Sequence, residues 1–229
     1  MNRKVYVVHG WTYNLDKWTE FNKLLKDHGV DVVMLKVPGL TAPSNLSYTM
    51  DDYVAWLADE LKNIKDPVVI GHSNGGRIVL SFIQKYPTKI RQLILIDSAG
   101  IANNGGRSRV RLKILKAVAK IGKVFSFIPG LKPLFYKAIG AQDYLNAPEN
   151  MKITLRNMLA ADKLIDLANI KVPTLLIWGR DDQLTPLSGG QELHKGIIGS
   201  ELRVIDGARH APNATHPEEV AKIILDRLK

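Results

Sequence analysis

Val68-Val69-Ile70-Gly71-His72-Ser73-Asn74-Gly75-Gly76 is the stretch on which the reading of this chain turns. Pro67 opens a short apolar run that ends at Ile70, and Arg77–Tyr86 follows with helical spacing. The glycine-rich piece between them is therefore a turn from a buried strand into a helix. G-x-S-x-G in that setting is a nucleophile elbow. A sharp turn can lift a serine oxygen over the end of a sheet only if the residues packed beside it lack side chains. Gly71, Gly75 and Gly76 supply that room.

The same grammar repeats outward from the elbow. Val5–Val8, Val30–Leu35, Leu93–Ile96, Thr174–Trp178 and Leu202–Ile205 are further short apolar runs. Helical patterns lie between most of them, around Asp16–His28 and from Tyr53 to Ile64. Thr49 with Asp52 three residues later reads as a capped helix start, and Thr215 with Glu218 reads as another. Strands apolar on both faces and separated by helices predict an α/β fold with a mainly parallel six-stranded sheet covered on both sides. Ligands of such sheets sit beyond the carboxyl ends of the strands, so functional residues should follow strands directly.

A serine needs a base, and the base needs an orienting acid. Of the six histidines, His9 and His72 lie inside turn motifs, and His28 and His194 belong to helices. His210 follows the last strand and is the expected base. His216, at the start of the last helix, is the second candidate. Asp182 follows the fifth strand in Trp178-Gly179-Arg180-Asp181-Asp182 and is the expected acid. Asp181 is its near competitor. Asp97 is a third carboxylate at the same edge, read as a turn-stabilising residue before Ser98. The oxyanion hole is expected from the backbone N–H groups of Asn74 and of Trp11, which follows His9-Gly10 after the first strand.

Composition narrows the classes. The 229 residues are 45% apolar and 24% charged, as in a folded domain with one substantial core. The absence of cysteine excludes a disulfide scaffold, a cysteine-ligated metal and a cysteine nucleophile. With no signal-peptide pattern and no long apolar run, the expected compartment is the cytoplasm. The net charge is +10. Much of the excess lies between Ser98 and Gln142, which hold no Asp or Glu but carry Arg107, Arg109, Arg111 and six lysines. Residues 101–169 also interrupt the strand–helix alternation, so the expected organisation is a core (1–100), a helical lid (101–169) and a second core part (170–229). The basic helix around Val110–Phe125 has three readings: a solvated lid helix, an interfacial helix making weak contact with an anionic membrane surface, or a recogniser of anionic substrate. No nucleic-acid-binding motif accompanies it.

Taken together, His9-Gly10-Trp11, Gly71–Gly75, Ile94–Gly100, Val172–Gly179 with Asp182, and Gly207–His210 resemble the α/β-hydrolase superfamily in its lidded branch. The likeness runs over nearly the whole chain. It implies two-step acyl transfer to water by Ser73, His210 and Asp182, on small or medium esters or lactones, with no metal and no organic cofactor. Carbon–carbon or thioester hydrolysis by the same triad is an alternative, and a non-catalytic ligand-binding relative is one of another class. Against many relatives, the chain is expected to lack the N-terminal hairpin, leaving a minimal six-stranded sheet, and it carries Asn74 where Met or Gln is common. The partner expected is a small molecule, with the chain a monomer or homodimer.

Overall fold

The apolar runs lie side by side as strands. A computed structural model describes residues 3–101 and 147–228. The strands are β1 (Arg3–Val8), β2 (Val30–Met34), β3 (Val68–His72), β4 (Gln92–Ile96), β5 (Thr174–Gly179) and β6 (Glu201–Ile205). They form one sheet in the order β2-β1-β3-β4-β5-β6, with every neighbouring pair parallel. Parallel strands need crossovers, so each apolar run requires a helix or long connection before the next. The inner strands β4 and β5 are buried along their whole length, whereas β2 and β6 at the edges are partly exposed.

Seven α-helices lie among the described residues: α1 (Thr19–Asp27), α2 (Met50–Glu60), α3 (Asn74–Lys85), α4 (Glu149–Ala161), α5 (Leu187–Gly196), the short α6 (Pro212–Thr215) and α7 (Pro217–Leu228). Alternation along the strands splits the core into two faces. On one, Val5, Val7, Ile70, Ile94, Ile96 and Ile177 pack with Phe21 and Leu25 of α1 and Val220 and Ile224 of α7. On the other lie α2 and α3, which pack against each other.

Several helix boundaries carry their expected causes. The Thr49 hydroxyl accepts from Asp52 N–H while the Asp52 carboxylate accepts from Thr49 N–H, so the capping box at α2 forms as read. The last helix differs from expectation. Thr215 closes α6, and its hydroxyl donates back to the Ala211 carbonyl instead of capping α7. Pro217 is the first residue of α7, a position that suits proline because its missing N–H has no partner to lose.

Of the expected insertion 101–169, residues 102–146 lie outside the described residues, and with them the basic helix. The described remainder is helical: α4 and two short 3₁₀ turns, Asp162–Leu164 and Leu167–Asn169. Residues 149–169 belong to the same compact unit as the sheet. Tyr48 N–H donates to Thr154 Oγ1 at 2.9 Å, and Asn157 Nδ2 donates to the Tyr48 carbonyl at 3.0 Å, which ties α4 to the loop before α2.

A buried ion pair adds a second tie. Arg77 of α3 reaches Asp162 with Nε at 2.5 Å from Oδ1 and Nη2 at 3.0 Å from Oδ2, and Nη1 also donates to Asn74 Oδ1. The Arg77 side chain is 5% exposed and that of Asp162 12%. Removing one member of such a pair strands the other charge. Asp162→Ala should lower unfolding stability by about 3–5 kcal/mol in urea titration, the usual cost of a stranded buried charge. The double change Arg77→Met with Asp162→Leu should recover most of that loss.

Candidate active site

The elbow forms where the sequence places it. Ser73 follows β3 with φ 52° and ψ −120°, and α3 begins at the next residue, earlier than the expected Arg77. A non-glycine residue at positive φ costs about 1–3 kcal/mol and persists only where its surroundings impose it. Those surroundings are visible here. Ser73 N–H donates to the Ile96 carbonyl at 3.2 Å, and the Ser73 carbonyl accepts from Gly76 and Ala99 at 3.0 and 2.9 Å. A Cβ on Gly75 would overlap the Val8 carbonyl, so α3 starts hard against the end of β1 only because residue 75 has no side chain.

The sheet then brings three distant segments to one rim. Ser73 Oγ lies 2.9 Å from His210 Nε2, and His210 Nδ1 lies 2.8 Å from Asp182 Oδ2. Imidazole with a carboxylate on Nδ1 carries its proton there, so Nε2 is left to accept from the serine hydroxyl. His216 bonds to its neighbour Thr215 instead. Asp181 is exposed and spends its N–H on the Ala208 carbonyl. The structure thus joins Ser73, His210 and Asp182, and leaves both competitors outside the contact.

Asp182 is held by more than His210. Its carboxylate accepts from Leu184 N–H at 2.7 Å, Thr185 N–H at 3.0 Å and the Thr185 hydroxyl at 2.5 Å. Burial alone would push this carboxyl up, but the hydrogen bond and charge of His210, with the Thr185 bonds, outweigh it and hold the pKa below the ordinary value. Thr185 was not singled out in the sequence. Its hydroxyl lies within hydrogen-bond reach of Asp182, the Asp97 carbonyl and His210 Nδ1. Its position three residues past the expected acid was the available signal.

His72 is the second residue that sequence reading passed over. It is partly buried, and its Nε2–H donates to the His210 carbonyl at 2.9 Å. Burial, joined by the charge of His210, lowers its pKa to about 3, so it serves as a neutral strut for the loop that carries His210. His9 is also buried, with a lowered pKa, and bonds Thr41 Oγ1 at 2.7 Å.

The expected oxyanion donors border the serine. Asn74 is the first residue of α3, where backbone N–H groups have no intrahelical acceptor. Trp11 follows Gly10, and a Cβ on Gly10 would stand 2.9 Å from Ser73 Cβ. The loop after β1 therefore runs directly alongside the nucleophile position.

Asp97 corrects the sequence reading. It is fully buried inside the site cluster rather than a simple turn residue, and its φ is 42°. One carboxylate oxygen of Asp97, one of Asp182 and a ring nitrogen of His210 lie within 4.8 Å of one another. Such a grouping could ligate a cation, but Asp182 and His210 already bond each other at 2.8 Å.

The chain is similar to known proteins over almost all of its length. The family model described as the alpha/beta hydrolase family matches residues 5–223. The chain belongs to that family. Monoacylglycerol lipase ABHD6 of Mus musculus is 26% identical over 98% of this chain and 75% of its own length. Pimeloyl-[acyl-carrier protein] methyl ester esterase of Neisseria meningitidis is 27% identical over 98% of this chain and 93% of its own. Among solved structures, an alpha/beta hydrolase enzyme from the metagenome of Mar Chica lagoon sediments superposes with a TM-score of 0.72 at 18% identity, covering 99% of this chain and 90% of that one. Its relatives make this family member a hydrolase. No described helix is long and apolar enough to cross a membrane.

Burial and the Asp182 charge push the Asp97 carboxyl up to about 8, against a single opposing N–H from Gly179. This sets a sign for stability. Below the unfolded value near 4 the group is protonated in both states, and between about 4 and about 8 only the unfolded chain releases the proton, so stability falls as pH rises. Asp97→Asn should therefore raise the melting temperature at pH 7.5 by several degrees more than at pH 4, as measured by calorimetry.

Proposed function

We propose that the protein is a serine-dependent carboxylic-ester hydrolase acting on small or medium esters or lactones through an acyl-enzyme. The observation that carries this reading is the pair of contacts on one imidazole: 2.9 Å to Ser73 Oγ and 2.8 Å to Asp182 Oδ2. Nucleophile, base and acid at such distances can pass a proton without rearrangement. Ester chemistry also draws support from the relatives named as a monoacylglycerol lipase and a methyl ester esterase.

In the first half-reaction Ser73 Oγ bonds to the carbonyl carbon as its proton moves to His210 Nε2. The carbonyl π pair moves onto oxygen, and the Trp11 and Asn74 N–H groups stabilise that oxyanion. A missing donor of this type typically costs about 3 kcal/mol. Collapse breaks the bond to the alcohol oxygen, which leaves with the proton from Nε2. In a lactone the alcohol stays tethered. Water then adds to the acyl carbon and gives its proton to Nε2. The second collapse breaks the bond to Ser73, which recovers its proton, and frees the acid. Asp182 remains ionised throughout and stabilises the imidazolium.

The test is active-site labelling with a fluorophosphonate, followed by a panel of p-nitrophenyl esters, lactones and acyl thioesters at neutral pH. Ser73 should become phosphonylated stoichiometrically, and Ser73→Ala should abolish labelling and reduce ester turnover by about 10⁶, the scale of a lost triad nucleophile. Asp182→Asn should reduce turnover by about 10⁴ or less, since the imidazole keeps its place but loses its tautomer. A wild-type chain that resists labelling and turns over none of the panel would overturn the assignment.

A further inference from the structure

We propose that the side-chain amide of Asn74, its polarity fixed by Arg77, is a donor to substrate that selects esters and lactones carrying an oxygen on the carbon next to the carbonyl. The proposal rests on the triad reading and narrows the substrate class of that same site.

The starting point is a buried cation one turn from Ser73. Arg77 and Asp162 have given up most of their hydration, at 5% and 12% side-chain exposure. A buried ion pair often returns no net stability for that loss, so its use has to be sought in what it orders. Nε and Nη2 of Arg77 bind the two oxygens of Asp162, which holds the planar guanidinium in one orientation. Nη1 then donates to Asn74 Oδ1. A guanidinium offers donors only, so the Asn74 amide must turn its oxygen toward Arg77 and its Nδ2 away. Arg77 is thus a positioning residue for the amide. A methionine at position 74 could not be oriented this way.

The outward half of that amide is available. Asn74 is half-buried, and its Nδ2 has no hydrogen-bond partner among the described residues. Asn74 directly follows Ser73 and opens α3. Its backbone nitrogen and its Nδ2 are four bonds apart, so they lie within about 5 Å of each other. A carbonyl oxygen received by the Asn74 backbone N–H therefore brings a substituent on the neighbouring carbon within reach of Nδ2. A hydroxy, alkoxy or keto oxygen there accepts from Nδ2. An alkyl chain at the same place would cover the N–H groups and leave them without an acceptor, which carries a penalty.

Two esters of nearly equal shape test this in the full-length chain. p-Nitrophenyl methoxyacetate and p-nitrophenyl butyrate differ by one ether oxygen in place of one methylene. The preference is the ratio of their kcat/KM values. The same pair is used throughout, so intrinsic reactivity cancels between variants. Asn74→Leu should lower the preference about five-fold, the worth of one neutral hydrogen bond. Arg77→Met with Asp162→Leu keeps Asn74 but frees its amide to rotate, and should lower the preference at least two-fold. An unchanged preference in either variant overturns the proposal. A third measurement needs no variant. The wild-type preference should exceed the ratio of the two hydroxide-catalysed rates at least three-fold, and a preference no greater than that ratio overturns the proposal even if neither variant folds. A wild type that turns over neither ester and resists fluorophosphonate fails as a hydrolase, whereas one that turns over both without preference fails this proposal alone.

Discussion

The backbone at Ser73 has to turn through positive φ at the one point where β3 gives way to α3, and the arrangement of the site depends on that turn. The conformation is unfavourable for serine by itself. It is held by hydrogen bonds from β4 and the segment after it, and by the close approach of α3 to the end of β1 at Gly75. With the turn made, the hydroxyl projects over the sheet rim, and the first N–H groups of α3 lie beside it. The Ser73 hydroxyl and the Asn74 N–H, the proposed nucleophile and oxyanion donor, thus come from one local constraint. A side chain at position 75 would push the helix away and lose both together.

Around that turn the electrostatics follow from a shortage of solvent. His9, Asp97 and Asp182 are buried and His72 partly so, and each must find hydrogen bonds or give up its charge. Asp182 has enough donors to remain ionised. Asp97, with one N–H, holds its proton, and His72 becomes a neutral strut to the His210 loop. Away from the rim, the Arg77–Asp162 pair joins α3 to the segment after α4. The electrostatic role of each group follows its count of donors and acceptors more than its residue type.

The sheet and the three site residues were legible in the sequence because their signals are local. Apolar runs mark strands, glycines mark the elbow, and His210 and Asp182 each follow a strand directly. The sequence also offered Asp181, His216 and Asp97 at comparable positions. Nothing local ranks Asp181 against Asp182, because the choice depends on which carboxylate turns inward after Gly179. Thr215 shows the limit at a helix end: its spacing to Glu218 matches a capping box, yet the short α6 takes up its hydroxyl.

Sequence by itself determined the α/β architecture, the order of the strands along the chain, and the residue types of a serine, a histidine and an acid at strand ends. Those follow from periodicity and steric size, which act within a few residues. Tertiary structure alone decided the spatial order of the strands, the pairing of Ser73 with His210 rather than His216, and the burial of Asp97 beside Asp182. The same holds for the roles of Thr185, His72 and Arg77. Each of these depends on at least one long-range contact, across 25 to 138 positions for the site bonds and 85 for the ion pair, distances over which no local pattern carries information.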